Sequence, residues 1–182
     1  HQPFRMPADV AVTLRADGTV LVRCAFHEIG VGAATAQTQI AADALGVPVG
    51  AVTVEYGDTD LPVGPQAGGS AQTASVAAAL LEACGTLREA VLRLARRSPS
   101  SPLRGSRLAD LRAVRGGLFR VDAPEVGETY AAVLAHAGRA ELAVRTGSDS
   151  RVGRAVGQAR FLAGFLRDRR RWVRAATGAH FC

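Results

Sequence analysis

The chain has 182 residues, 48% of them hydrophobic and 21% charged, enough length and apolar content for one soluble domain with a true core. All 22 basic residues are arginine, which excludes the lysine-dependent chemistries of Walker A loops, pyridoxal Schiff bases and protein kinases. The net charge of +6 is local: residues 1–150 hold 14 Arg against 15 acids, whereas residues 151–182 hold 8 Arg against Asp168 alone, so the basicity belongs to a tail rather than to a nucleic-acid footprint on the body.

The opening His1-Gln2-Pro3-Phe4-Arg5 has none of the apolar character of a secretory signal, and a start at His1 is expected of a piece of a longer protein. Val10, Val12 and Leu14 alternate as in a half-buried strand. Ala16-Asp17-Gly18-Thr19 predicts a type I′ hairpin turn, because Asp-Gly tolerates positive φ. Val20, Val22, Cys24 and Phe26 then share one face of a second strand. A glycine-rich stretch from His27 to Thr35 leads into a helix predicted over 34–45, with Ala36, Ile40, Ala41, Ala44 and Leu45 on a broad apolar face. Gly46 stands where a left-handed C-cap belongs, and Pro48 prevents continuation. A strand is predicted over 51–56, followed by turn and loop residues to Gly69.

The longest helix is predicted over 71–97, about 40 Å at about 1.5 Å per residue. Val76, Leu80, Cys84, Leu87, Val91 and Leu94 follow three- and four-residue spacing, and the first half is almost all Ala, Val and Leu. Such a helix is expected to be buried on most sides, or covered by another domain. Gly85 costs it about 1 kcal/mol relative to alanine. Residues 98–107 are expected to be a mobile connector. A short strand is expected over 116–121, a helix over 129–137 with Glu128 near its positive end, and a last strand over 141–145. From Arg151 the character changes: Arg167-Asp168-Arg169-Arg170-Arg171-Trp172 carries no matching apolar stripe. The expected fold class is α+β, with mixed sheet elements, two glycine-loop-to-helix units and one long, largely buried helix. The expected divisions are 1–97 as a cofactor-binding segment, 98–116 as connector, 117–150 as a small α/β extension and 151–182 as a basic tail.

The chemistry-bearing features are the two loops that run into helices, Glu28-Ile29-Gly30-Val31-Gly32 and Gly68-Gly69-Ser70-Ala71-Gln72-Thr73. A helix N-terminus has unpaired N–H groups and partial positive charge, and glycines let an anion approach them. Two such loops in one chain point to a phosphate-bearing ligand held between them. Ser70, Gln72, Thr73 and Ser75 add hydroxyl and amide donors, and Ser70 can also serve simply as an N-cap. Glu28 is expected to be solvated or paired with an arginine rather than catalytic. Asp58 and Asp60 fit an Asx turn better than a metal site. Ser98, Ser100 and Ser101 have no sequence-adjacent His or Asp to activate a nucleophile. Cys24, Cys84 and Cys182 are widely spaced, as are His1, His27, His136 and His180, so no metal site is expected within the chain and a reducing compartment is.

Taken in order, Glu28-Ile29-Gly30-x-Gly32-x-x-Thr35, Gln39-Ile40-Ala41-Ala42-Asp43-x-Leu45-Gly46-Val47-Pro48, Val52-x-Val54, Gly57-Asp58-Thr59-x-x-x-Pro62 and Gly68-Gly69-Ser70-x-x-Thr73-Ala74-Ser75 resemble the molybdopterin-binding large subunit of the xanthine dehydrogenase and aldehyde oxidase family of molybdenum hydroxylases. The resemblance covers residues 5–97 well and 117–150 more loosely. It implies that Ile29, Gly30, Val31 and Gly32 line one side of a molybdenum–molybdopterin cofactor in its cytosine dinucleotide form. It implies that Gly68, Gly69, Ser70, Gln72 and Thr73 hold the other side, phosphate oxygens included. It further implies [2Fe–2S] and FAD groups on partner subunits or other segments, an aldehyde or heteroaromatic substrate, and a cytoplasmic location, or a periplasmic one on export with a partner. Three features depart from the family pattern. Val31 stands where many relatives have a Gln, and valine cannot donate a hydrogen bond. Nothing after Ser150 resembles the Gly-Glu motif that supplies the family's catalytic base, so no catalytic residue is assigned and the isolated chain is expected to be inactive. The arginine-rich tail matches nothing in the family, as expected of a frame change or a truncated end. Two other readings of the same residues are a non-catalytic binder of phosphate-bearing ligands and a nucleic-acid binder acting through the tail.

Overall fold

The computed structural model describes residues 6–146 and, beyond them, only Ala159 and Ala163; the tail expectations therefore lie outside the described residues. Alternating Val12, Leu14, Val20 and Val22 drive two strands, β1 (Ala11–Arg15) and β2 (Val20–Arg23), whose inward side chains are fully buried. The pair is antiparallel, with Val12 opposite Val22 and Leu14 opposite Val20. The turn between them is not type I′. Gly18 has φ 84°, but Asp17 is not among the residues of positive φ, and the Arg15 N–H reaches the Thr19 carbonyl at 2.9 Å while the Gly18 N–H reaches Arg15. This is a three-residue loop with glycine at the left-handed position. Asp17 keeps the ordinary conformation because its carboxylate accepts both the Thr19 N–H at 2.9 Å and the Thr19 hydroxyl at 2.7 Å.

After β2 comes α1 (Ala33–Leu45), then β3 (Val52–Glu55), which lies parallel to β2. The unit is a β-α-β crossover, and the first glycine loop sits at the carboxyl end of its first strand, where ligands of such units bind. Helix α2 (Gln72–Arg97) follows. A hairpin of β4 (Leu111–Val114) and β5 (Gly117–Arg120), the short β6 (Gly127–Thr129), α3 (Tyr130–His136) and β7 (Glu141–Arg145) complete the described chain. One sheet has the order β3-β2-β1-β7 and the other β4-β5-β6, an α+β arrangement.

Sequence periodicity does not announce β4 and β6. β4 is formed by a true two-residue turn, Arg115-Gly116, with φ of 53° and 67°, which puts Val114 opposite Gly117. Arg115 is held in that unusual conformation with its guanidinium 4.0 Å from the centre of the Phe119 ring. The stretch 98–107 is not loose either: Leu103 is fully buried, and Ser101 donates a buried hydrogen bond to Glu128 at 2.6 Å. Thr129 caps α3, its hydroxyl accepting the Ala132 N–H, and Glu128 directly precedes it.

α2 buries the stripe Val76, Leu80, Cys84, Leu87 and Val91, as its spacing predicts, and leaves Leu81 about half exposed. Its core is shared with β1, β2, α1, Leu118, Tyr130, Val133 and Leu134. Burial pushes the thiols of Cys24 and Cys84 up to about 12. Peptide mapping after alkylation at mildly alkaline pH should therefore find both unmodified in native protein and modified after denaturation in guanidinium. Rapid native labelling of either would contradict this packing. No helix among the described residues is long and apolar enough to cross a membrane.

Candidate cofactor-binding loops

Beyond β2 the chain continues through Cys24–Phe26 and is clamped before the first loop begins. The Cys24 N–H donates to the Glu55 carbonyl, that of Ala25 to Pro62, and that of Gly57 to Phe26. Gly64 packs so tightly on this segment that a Cβ there would lie 2.5 Å from the Ala25 carbonyl oxygen. The Phe26 ring stacks on Tyr56 with centroids 5.1 Å apart. The loop thus springs from a rigid base.

Gly30 and Gly32 both adopt positive φ, 90° and 70°, and this curls the backbone so that successive N–H groups converge. The group at their focus is the carboxylate of Glu28. Its Oε1 accepts the N–H of Gly30 at 2.9 Å and of Gly32 at 3.1 Å, and its Oε2 accepts that of Ala34 at 3.1 Å. Glu28 thus stays at the solvent-facing surface but is bound by the N–H groups of its own loop rather than by an arginine. The Ala34 N–H, helped by those of Gly30, Gly32 and Val31, holds its carboxyl below the usual carboxylate range. Ile29 and Val31, by contrast, point outward with 65% and 60% of their surface exposed.

The second loop is built differently. Gly68, Gly69 and Ser70 are exposed, and Gly69 and Ser70 both have positive φ, 61° and 53°. Positive φ is costly for a serine. Ser70 is not the N-cap: that position is Ala71, and no side chain caps the helix. The first N–H engaged along α2 is that of Ser75, on the Ala71 carbonyl at 2.9 Å. Those of Gln72, Thr73 and Ala74 therefore have no partner within the helix. Ser75 is not available as a donor to a ligand, since its hydroxyl donates to the Ala71 carbonyl at 2.7 Å and accepts the Met6 N–H at 2.8 Å.

Two side-chain amides bind the loops to each other. Gln72, almost fully buried, gives its Nε2–H to the His27 carbonyl at 2.7 Å and takes the His27 N–H on Oε1 at 3.2 Å. Gln37, on α1, donates to the Thr73 carbonyl at 3.0 Å, and its Oε1 is buried with no partner among the described residues. The starts of α1 and α2 are thus neighbours, and the two loops that contain the nine residues expected at the cofactor lead into them. Recesses of about 330, 610 and 700 Å³ elsewhere on the described chain have no loop residue in their lining.

Other candidate groups resolve into structural roles. The Asp60 N–H bonds Asp58 Oδ1 at 2.9 Å, an Asx turn. Ser101 does have charged neighbours, brought by the fold: Glu128, nearly buried, takes the Ser101 hydroxyl on Oε2 and faces His136 Nδ1 at 2.8 Å on Oε1. The carboxylate stands between serine and histidine, so the histidine has no contact through which to deprotonate Ser101. Among the described residues no three His, Cys, Asp or Glu side chains gather as a metal site would require.

Comparison with known proteins agrees with this geometry. The family model of the molybdopterin cofactor-binding domain matches residues 2–154, a span that includes both loops. The aldehyde oxidoreductase molybdenum-binding subunit PaoC of Escherichia coli (strain K12) is 38% identical over 80 residues, which are 44% of this chain and 11% of that protein. CO dehydrogenase from Oligotropha carboxidovorans shares the fold with a TM-score of 0.64 at 22% identity, over 80% of this chain and 18% of that one. Quinoline 2-oxidoreductase from Pseudomonas putida 86 does so with a TM-score of 0.60 at 24% identity, over 80% and 20%. The chain thus spans a fifth or less of the length of these relatives. With a family-model match that runs through both glycine loops and covers most of its length, this chain belongs to the molybdopterin cofactor-binding domain family.

Proposed function

We propose that this chain supplies part of the cofactor cradle of a molybdenum hydroxylase large subunit, an oxidoreductase that hydroxylates aldehydes or N-heteroaromatics with water as the oxygen source. The observation that carries the proposal is the coupling of two glycine loops through Gln72 and His27, with the N–H groups of Gln72, Thr73 and Ala74, which have no partner among the described residues, beside it. The residues fit the group. An unpartnered helix start with exposed Gly68, Gly69 and Ser70 suits phosphate oxygens, and the orphaned Gln37 Oε1 between the helices suits a pterin or water N–H or O–H donor. When bound, the molybdenum cofactor supplies the redox and oxygen-transfer chemistry.

On this reading Gly68, Gly69, Ser70, Gln72 and Thr73 hold and orient the anionic part of the cofactor, its cytosine dinucleotide form, and Ile29, Gly30, Val31 and Gly32 line the other side. Val31 offers methyl groups rather than a hydrogen-bond donor, and together with the similarity to an aldehyde oxidoreductase subunit this favours aldehydes over purines. Iron–sulfur and FAD groups are assigned to partner subunits or further segments, as is the catalytic base.

The test is production of the chain in a host that makes the cofactor, alone and joined to its neighbouring coding segments. The joined form should copurify with a pterin whose released nucleotide is CMP, and Thr73→Val should lower the pterin content several-fold. The chain alone should oxidise no aldehyde or purine above background. Absence of pterin from the joined form, or turnover by the chain alone, would overturn the proposal.

A further inference from the structure

The two loops are not equivalent anion sites, although their sequences suggest it. In the first, a carboxylate from the chain itself already receives the Gly30, Gly32 and Ala34 N–H groups at 2.9 to 3.1 Å. In the second, no side chain caps the helix and the first three N–H groups have no helical partner. An external phosphate at the first loop would have to displace Glu28 and then face its charge at close range, where like charges repel strongly.

From this we infer that Glu28 is a positioning residue: an internal anion that fixes the first loop in its curled form, bars charged groups from it, and so presents Ile29 and Val31 to an uncharged part of the ligand. The inference rests on the cofactor assignment for its ligand, but the lock itself does not. The glycines permit the curl without enforcing it, since glycine populates many conformations. Three convergent hydrogen bonds to one ionised group select a single conformation, because bonds to an ionised acceptor are roughly twice as strong as neutral ones. The apolar tips are costly to expose, and their outward aim follows from that selected backbone. The anion of the ligand is thereby directed to the second loop alone, which fixes the direction in which an elongated ligand lies across the two loops.

Hydrogen–deuterium exchange of the full chain, read by peptide, tests this with inorganic pyrophosphate as probe. In the wild type, residues 29–35 should exchange slowly, and pyrophosphate should slow residues 70–75 while leaving 29–35 unchanged. Glu28→Ala should speed exchange of 29–35 at least tenfold, leave 76–97 as in the wild type, and allow pyrophosphate to protect 29–35 as well. Glu28→Gln keeps one acceptor oxygen without the charge. It should restore part of the protection, and it carries the test should the alanine variant fail to fold. Pyrophosphate protection of 29–35 in the wild type, or unchanged exchange in both variants, overturns the inference. Failure of pyrophosphate to protect 70–75 with the Glu28 effects intact strikes the cofactor assignment instead.

Discussion

Gln72→Leu should cost the fold about 2 kcal/mol and uncouple the two loops. Leucine keeps the volume, so the cost is that of polar groups rather than of a cavity. The wild-type carboxamide satisfies both the N–H and the carbonyl of His27. Leaving a buried donor or acceptor without a partner costs about 1–3 kcal/mol each. His27 itself is exposed and its bonds to Gln72 are only part-buried, so water recovers some of that loss. The functional consequence should be larger than the stability one. The cradle depends on the start of α2 standing beside the first loop, and misplacing a binding group by about 1 Å can cost a hundredfold. Urea denaturation should show a lower midpoint with unchanged slope, and pterin retention in the assembled enzyme should fall. A Gln72→Leu protein within about 0.5 kcal/mol of wild type, with full pterin content, would show that the loops are held together by something else.

The second large effect is expected at Gly46, where α1 ends. Its φ of 63° closes a Schellman-type cap, with the Gly46 N–H on the Asp43 carbonyl and the Val47 N–H on the Ala42 carbonyl at 3.0 Å. Two further carbonyls find tertiary partners. That of Leu45 accepts the buried Tyr130 hydroxyl at 2.8 Å, and that of Gly46 accepts the Gly116 N–H at 2.7 Å. The β4–β5 hairpin therefore lies directly on this glycine, and an added Cβ would fall within the peptide joining Ala113 to Val114. Gly46→Ala should cost about 1–2 kcal/mol for the left-handed conformation and a further 1–3 kcal/mol for the forced backbone shift. Gly138 separates the two contributions. It has the same handedness, φ 62°, with open space where its Cβ would go, so Gly138→Ala should show the conformational cost alone. Equal losses at the two positions, measured by thermal or urea unfolding, would mean that the hairpin does not press on the end of α1.

Much of the fold is legible without coordinates because its signals are local. Alternating valines around Asp17-Gly18 give β1 and β2, and the three- and four-residue spacing from Val76 to Val91 gives α2. Gly46 followed by Pro48 marks the end of α1. Turn type is less legible, because Asp17-Gly18 and Arg115-Gly116 exchange the roles that dipeptide preference assigns: aspartate prefers its own Asx bonds to positive φ, and an arginine can be held there by an aromatic ring. β4 and β6 escape notice because three or four residues of mixed polarity carry no period. They exist through pairing with β5.

The amino-acid order by itself determined the types of the longer elements, the two glycine loops and, through their ordered motifs, the family. Only the tertiary structure decided what those loops hold. The Gln72–His27 tie spans 45 residues, the Tyr130–Leu45 bond 85, and β7 joins β1 across most of the chain. Such partners are chosen by packing, on which hydrophobic period and turn chemistry are silent. Glu28 is the exception in distance, since its partners lie two to six residues away. What hides it is that its bonds form only once Gly30 and Gly32 have both turned left-handed, and glycine alone specifies no such choice.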